Sequence, residues 1–266
     1  MSRSPLPVRA ATLAFGVEPS DRAYRLRLAR YPALAGTVAA FVRARTDGRA
    51  DGAAPVRLLD VGVGRGRSLR YVEPLGVADA VRWHGIDLDP RLAQRLYRAA
   101  TWRAVLADAA RGLPFRDATF DIVLAEQVLE HLDDPAAALT EIARVLRPGG
   151  LLVAGVPTFP PGVAALRDLA GKLVSHDDAK HGHGHVRTFS APAFRRLVAD
   201  VRHSGAPAFD VEDVRGFRSM SGGLLSPLED LRWWWRLNAT VFGALPWFAA
   251  EVQVVARRRA EGVGRE

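Results

Sequence analysis

The chain has 266 residues, 48% of them hydrophobic, enough for a sizeable core and too many for wholesale disorder. It contains no cysteine, which excludes disulfides, thiolate metal sites and a cysteine nucleophile. The net charge of +8 is carried almost wholly by arginine, with Lys172 and Lys180 the only lysines. These arginines are scattered rather than blocked, so charge alone does not argue for a nucleic-acid partner.

Residues 1–20 read as a loose lead-in without the apolar core of a signal peptide, and no stretch reaches the ~18 uninterrupted apolar residues of a spanning helix. A cytoplasmic location is therefore the default expectation. Apolar residues at helical spacing predict a helix over Ala23–Arg45, followed by a Gly/Asp/Ala linker from Thr46 to Pro55. From Val56 onward, short apolar strands alternate with helices. Strands are expected at Val56–Val61, Val81–Asp87, Arg103–Ala107, Phe120–Ala125 and Leu151–Val156, and helices at Ser68–Leu75, Pro90–Ala100 and Pro135–Leu146. Such alternation implies right-handed crossovers and an α/β fold with helices on both faces of a parallel sheet. Asp89-Pro90 and Asp134-Pro135 read as helix caps, each with proline at the first helical position. Arg147-Pro148-Gly149-Gly150 reads as a helix stop. A Pro-, Gly- and His-containing insertion follows (158–189), then a helix (Ala191–Val201), a strand (Phe209–Val214), an aromatic stretch (Leu231–Phe248) and a last strand (Glu251–Ala256).

The chemistry concentrates after the first strand, in LLDVGVGRGRSL. Gly62-x-Gly64-x-Gly66 would let a nucleotide-like ligand approach the backbone, but Arg67 stands where a dinucleotide fingerprint wants its third glycine. Asp60 ends the strand beside that turn. Two like charges ~5 Å apart at an effective dielectric of ~20 repel by roughly 3 kcal/mol, which disfavours a pyrophosphate there. The same carboxylate favours a cation such as S-adenosyl-L-methionine, which carries a sulfonium and an α-ammonium and no phosphate. Asp87 ends the second strand 25 residues beyond Gly62, where it can accept from both ribose hydroxyls. Asp108 can accept from an adenine amine, and Ala109 can offer its backbone N–H. Leu88, Leu113 and Phe115 read either as adenine neighbours or as ordinary core.

LLDVGVGRG, HGIDLDP and LADAARGLPFRDATFDIVLAEQVLEHLDDPAAALTEIARVLRPGGLLVAGVP together resemble, in order and spacing, the class I S-adenosylmethionine-dependent methyltransferases. Among these, the type 11, quinone-biosynthesis-like small-molecule branch is the most similar. The resemblance covers about Val56 to Pro157 and, more faintly, the last strand. It implies a Rossmann-like, mostly parallel seven-stranded sheet whose last strand runs antiparallel. It further implies that Asp60, Gly62, Gly64 and Gly66 lie under the methionine part, Asp87 at the ribose, Asp108 and Ala109 at the adenine, and Glu126 and Gln127 at the methyl-transfer face, with Leu88 also counted among the cofactor-binding candidates. The chain then divides into a helical extension and linker (1–55) and a methyltransferase domain (56–266), with a substrate-side insertion (158–189) and an aromatic helical segment (222–248).

Methyl transfer is an in-line displacement, so the main task is orientation, which can contribute up to ~10 kcal/mol. A base is needed only where the acceptor must lose a proton. Two places offer one. His131 sits in EQVLEHLDDP, or else is a turn residue packed on its neighbours. His181, His183 and His185 alternate in HGHGH and so would share one side of an extended chain. That run reads as a substrate loop with His185 as the candidate base, as a merely solvated loop, or as a metal site with Asp177 or Asp178; its spacing matches no established ligand set. The fourth strand is followed by AEQV rather than a Pro-Pro-aromatic tetrad, which leaves small molecules, lipid-linked intermediates or glycans as acceptors. Trp233, Trp234 and Trp235 are consecutive, and on a helix they cannot all face a core. This segment reads as an interfacial helix making peripheral membrane contact, as a lid over an apolar acceptor, or as a helix packed on the sheet. The expected reaction is O-methylation of a small or lipid-linked acceptor. The alternatives are an RNA methyltransferase, an NAD(P)-dependent oxidoreductase and a catalytically inactive S-adenosylmethionine-binding protein.

Overall fold

The computed structural model describes residues 28–46, 54–88, 102–106, 108–159, 187–217, 225, 227–228, 231–242 and 245–260. Seven strands form one sheet: β1 (Val56–Val61), β2 (Val81–Asp87), β3 (Trp102–Leu106), β4 (Phe120–Glu126), β5 (Leu146–Pro157), β6 (Phe209–Phe217) and β7 (Glu251–Arg258). Their spatial order is β3-β2-β1-β4-β5-β7-β6. The strands β1 to β5 pair in parallel, and β7 inserts antiparallel between β5 and β6. This is the expected Rossmann-like α/β sheet with its last strand reversed. The order turns back on either side of β1 and β4, and in open α/β sheets ligands bind outside the carboxyl ends of the strands at such a switch point.

Alternation along the strands sends side chains to two faces and builds two core layers. Leu59, Val61, Val123, Ala125, Leu152, Ala154, Val254 and Ala256 point to one layer. It is closed by α3 (Pro135–Val145) and α4 (Ala191–Ala199), which bury Leu139, Ile142, Phe194 and Val198. Val56, Leu58, Ile122, Leu124, Leu151, Val153 and Val255 point to the other. There α1 (Arg30–Thr46) buries Leu34, Ala35, Val38 and Val42, and α2 (Arg67–Val72) buries Leu69 and Val72. The N-terminal helix is thus part of the fold rather than an appendage.

Local chemistry sets the element ends. Asp134 caps α3, its side chain accepting from Ala137 N at 2.9 Å, with Pro135 at the first helical position. Ser190 caps α4 in the same way, accepting from Ala193 N. The helix expected over Ser68–Leu75 is shorter: α2 stops at Val72, and Glu73–Leu75 tightens to a 3-10 turn around Pro74, ending at Gly76 with φ +71°. The strand expected at Leu151 starts earlier, at Leu146, because Leu146 pairs with Phe120 before the register shifts between Phe120 and Ile122. Leu113 is 5% exposed within the first core layer, and the partly buried Phe115 packs against that layer, edge-on to Phe120 at 4.9 Å. The expected helix at Pro90–Ala100, the start of the first helix and the histidines at 176, 181, 183 and 185 lie outside the described residues. No described helix is long and apolar enough to cross a membrane.

Candidate functional site

The glycine turn is built as the sequence demands. Gly62, Gly64 and Gly66 have φ of +67°, +49° and +70°, a region that suits glycine. The turn is pinned from below, where Ile86 O accepts from Gly62 N (2.9 Å) and Val63 N (3.0 Å). It is pinned from the side by Asp87, whose Oδ2 accepts from Gly64 N at 2.8 Å. The ribose candidate therefore also shapes the turn. Gly66 lies at the N-cap of α2 and sets the entry to that helix. Replacing Asp87 by alanine removes both this bond and any ribose contact. We expect donor affinity to fall by about 1–3 kcal/mol, the range for lost buried hydrogen bonds, as read by calorimetric titration with S-adenosylhomocysteine.

Above the turn lies a cavity of about 220 Å³ lined by Tyr31, Asp60, Gly62, Val63, Gly64, Arg65, Arg67, Ser68 and Glu126. Four of the expected site residues, Asp60, Gly62, Gly64 and Glu126, meet here. Asp60 is 2% exposed and Glu126 is 7% exposed. The sheet explains why two acids share one wall. On β1 the inward positions run Val56, Leu58, Asp60; on β4 they run Ile122, Leu124, Glu126. Each strand puts an acid where its next core residue would fall. On β7 the same face carries Val255 and then, toward the strand start, Gln253 and Glu251.

Burial pushes the Asp60 carboxyl up to about 7, against a hydrogen bond from Ser68 and with Asp87 adding to the rise. Burial likewise pushes Glu126 up to about 8, with Arg30 and Gln253 opposing and Glu251 and Asp60 reinforcing. Asp60 Oδ2 is buried without a hydrogen-bond donor, and Glu126 Oε2 has an ion pair with Arg30 Nε at 3.3 Å but no hydrogen bond. Two buried carboxyl groups on a cavity wall, each with an oxygen that accepts no hydrogen bond, fit a positively charged, N–H-bearing ligand such as the methionine part of S-adenosylmethionine. They do not fit a phosphate.

Gln127 has φ +57° and its N–H bonds Gly155 O at 2.8 Å, so the chain kinks at the end of β4. Its Nε2 is buried without a hydrogen-bond acceptor. Leu88 is 67% exposed at the end of β2. Asp108 and Ala109 open the turn after β3, where Asp108 lies 3.3 Å from Arg111 Nε. The next loop is held by Arg144 of α3, which donates to Leu113 O (2.9 Å) and Phe115 O (2.8 Å). Its partner Glu141 accepts from Leu113 N at 3.0 Å, and the hydrogen bond from Arg144 holds the Glu141 carboxyl below its usual range.

His131 ends the turn Leu129–His131 and its side chain is 38% exposed. Where the described chain resumes, Arg187 N donates to Glu130 O (3.2 Å) and Arg187 Nε to Asp133 O (3.1 Å), so this segment is anchored beside His131. No metal-ligating cluster occurs among the described residues. In the aromatic segment, α5 (Arg232–Leu237) continues as a π-helical turn, Asn238–Phe242. Trp234 is buried against Leu225 and Leu228, while Trp233 is 57% and Phe248 55% exposed. Leu237, Val241, Leu245 and Trp247 extend this exposed apolar face. Ala250 O, at its end, accepts from Thr158 N at 3.0 Å, which seats the face at the carboxyl end of β5.

The contributions of α1 and β7 had no sequence motif. Tyr31 stacks on Tyr71 at 5.4 Å, and Arg30, Glu251 and Gln253 surround Glu126. The one legible signal was the acid in place of a core residue at the inward end of each strand.

Comparison with known proteins agrees with this architecture. Residues 59–154 match the family described as Methyltransferase domain. A demethylmenaquinone methyltransferase of Tropheryma whipplei is 38% identical over 102 residues, 36% of this chain and 39% of that protein. The 27-O-demethylrifamycin SV methyltransferase of Amycolatopsis mediterranei is 32% identical over 59% of this chain and 56% of its own length. An uncharacterized methyltransferase of Mycolicibacterium paratuberculosis is 35% identical over 208 residues, 72% of this chain and 78% of that protein. Among solved structures, the [4+2]-cyclase SpnF aligns with a TM-score of 0.51 at 20% identity, over 85% of this chain and 81% of that one. The chain belongs to the class I S-adenosylmethionine-dependent methyltransferase family, type 11. It spans only about two fifths of the demethylmenaquinone methyltransferase and just over half of the rifamycin enzyme. SpnF has a similar fold and is named for another reaction, so the fold by itself does not fix the chemistry.

Proposed function

We propose that this protein transfers a methyl group from S-adenosylmethionine to an oxygen of a small or lipid-linked acceptor. The observation that carries the reading is the pair of buried carboxylates, Asp60 and Glu126, on the wall of the glycine-turn cavity. A dinucleotide would bring phosphates against them, which weighs against an NAD(P)-dependent oxidoreductase.

When bound, the donor supplies a methyl group on a sulfonium leaving group. Asp60 and Glu126 would face its positive charges, Asp87 the ribose, and Asp108 with Ala109 the adenine. Gly62 and Gly64 leave room for close approach. The protein's part is then to exclude water and to align the acceptor oxygen with the methyl carbon. His131 and His185 are the candidate bases that take the acceptor's proton.

Oxygen as the accepting atom is in keeping with the rifamycin relative's name. An apolar or lipid-linked acceptor is in keeping with the exposed face of Trp233, Leu237, Val241, Trp247 and Phe248. No acidic residue occurs between Leu231 and Ala250, and Arg232 and Arg236 are the only charges there. That composition suits an apolar molecule with an anionic head, or peripheral contact with the membrane carrying it. The double variant W233A/F248A is expected to lower turnover on such an acceptor tenfold or more while donor affinity stays unchanged.

The deciding experiment incubates the protein and methyl-labelled donor with a fractionated lysate. Label entering the lipid or apolar-metabolite fraction, stable to mild base unless the product is an ester, is the expected result. Label in RNA, with steeply salt-dependent binding, would establish the nucleic-acid alternative instead. Donor binding without label in any fraction would mark an inactive binding protein.

A further inference from the structure

Glu126, Gly155 and Gln253 lie in one register row across β4, β5 and β7, on the face covered by α1. Gly155 has no side chain, so its neighbours meet across it: Gln253 Nε2 donates to Glu126 Oε1 at 2.6 Å. A methyl group at Gly155 would lie 2.5 Å from Glu126 Oε2. From α1, Arg30 reaches into the row. Its Nη1 donates to Glu251 Oε2 at 3.1 Å, and its Nε lies 3.3 Å from Glu126 Oε2. Arg30 is 6% exposed and Glu251 is 1% exposed. Arg30 and Gln253 both fall outside residues 59–154, the part that matches the family.

We propose that Arg30 is a positioning residue of the donor site: from α1 it pairs with the Glu126 carboxyl group at the cavity wall and eases its ionisation when a cationic ligand binds. This rests on the cavity being the donor site. Among the described residues, Glu126 and Glu251 share one buried guanidinium, Arg30, and Asp60 lines the same cavity as Glu126. Neighbouring carboxylates resist joint ionisation, and Arg30 lowers the cost of ionising the acid it pairs with, so removing it makes that acid hold its proton more tightly. Of the two acids paired with Arg30, Glu126 is the one that lines the cavity. Among the described residues, the other titratable groups lining the cavity are Tyr31 of α1 and Arg65 and Arg67 of the glycine turn, with Tyr71 of α2 stacked on Tyr31 and Asp87 acting on Asp60. Of the basic ones, Arg65 is exposed and Arg67 half-buried, so neither replaces a buried guanidinium between Glu126 and Glu251.

The donor carries one positive charge more than its product, S-adenosylhomocysteine, which provides the test. Dissociation constants for both are measured between pH 6 and 9 on the wild type, R30M, R30K and E126Q. In R30M at pH 7, affinity for the donor is expected to fall at least tenfold further than affinity for the product. That extra deficit narrows toward pH 9, where Glu126 can ionise again. R30K keeps the charge and should restore most of the wild-type pH profile. E126Q keeps the shape without the charge and should lose the same preference while remaining folded by thermal melting.

An R30M variant that weakens both ligands by one factor at every pH would assign Arg30 to helix packing alone and overturn the proposal. Unchanged affinities in both R30M and E126Q would overturn it as well. A wild type that binds neither ligand would remove the donor-site reading itself, a result distinct from either of these.

Discussion

Replacing Gly62 by alanine is expected to cost the protein its donor site. A methyl group there would run into Val128 Cγ2, and the residue sits at φ +67°. An L-residue in this left-handed region costs roughly 1–2 kcal/mol. Overpacking beside a β-branched side chain, which has few rotamers to escape into, adds roughly 1–3 kcal/mol. Neither Gly62 nor Val63 can shift freely, because both N–H groups are committed to Ile86 O. A combined cost of about 2–5 kcal/mol corresponds to a loss of roughly 30-fold to several thousandfold in affinity, if the turn reopens only in the binding-competent state. Gly76 is the internal control. It has φ +71° with nothing within 4 Å of the added methyl, and it lies outside the cavity. Gly76→Ala should lower stability by about 1 kcal/mol and leave the dissociation constant for S-adenosylhomocysteine where it was. Equal binding by Gly62→Ala would show that no ligand approaches this turn.

Donor binding is also expected to release protons and to strengthen with pH. Asp60 titrates near 7 and Glu126 near 8, each raised chiefly by burial. A bound cation favours the ionised carboxylates and lowers both values. Below pH 7 the free protein holds protons that the complex must shed, and each such proton costs up to tenfold in affinity per pH unit. Affinity should therefore climb from pH 6 to 9 and level off above Glu126's titration. The free protein behaves oppositely. Both groups titrate higher folded than unfolded, so their contribution to stability is fully present below about pH 4 and is lost as pH rises through 7 and 8. Added donor should thus raise the melting temperature more at pH 8.5 than at pH 6. Calorimetry in buffers of different ionisation enthalpy counts the protons directly. Asp60→Asn should flatten the lower half of the profile. A dissociation constant constant from pH 6 to 9 would refute the coupling.

Much of the frame was written locally. Short apolar runs over Val56–Val61, Val81–Asp87 and Phe120–Ala125 set strands that are buried on both faces and build two core layers. The three glycines announce a turn with positive φ, and the observed values of +67°, +49° and +70° follow from it. Asp134-Pro135 announces the start of α3, and the capping bond is present. Asp60, Gly62, Gly64 and Asp87 were legible as one site because they lie within 28 residues joined by a single βαβ crossover. Glu126 was legible only in part: its place at the end of β4 was foreseen, and its company was not.

That company comes from chain-distant elements. Arg30 and Glu251 are 221 positions apart, and Gln253 meets Glu126 across 127. No periodicity encodes such a meeting, since it depends on β7 inserting antiparallel beside β5 and on α1 crossing the face that both share. By itself, then, the sequence determined which residues could turn, cap and alternate, because those preferences are set by neighbours a few positions away. Only the tertiary structure decided that a buried arginine from the N-terminal helix would pair with two acids, one of them on the cavity wall. A charge withdrawn from water persists only where folding brings its counter-charges to it, and that is fixed by how the layers stack.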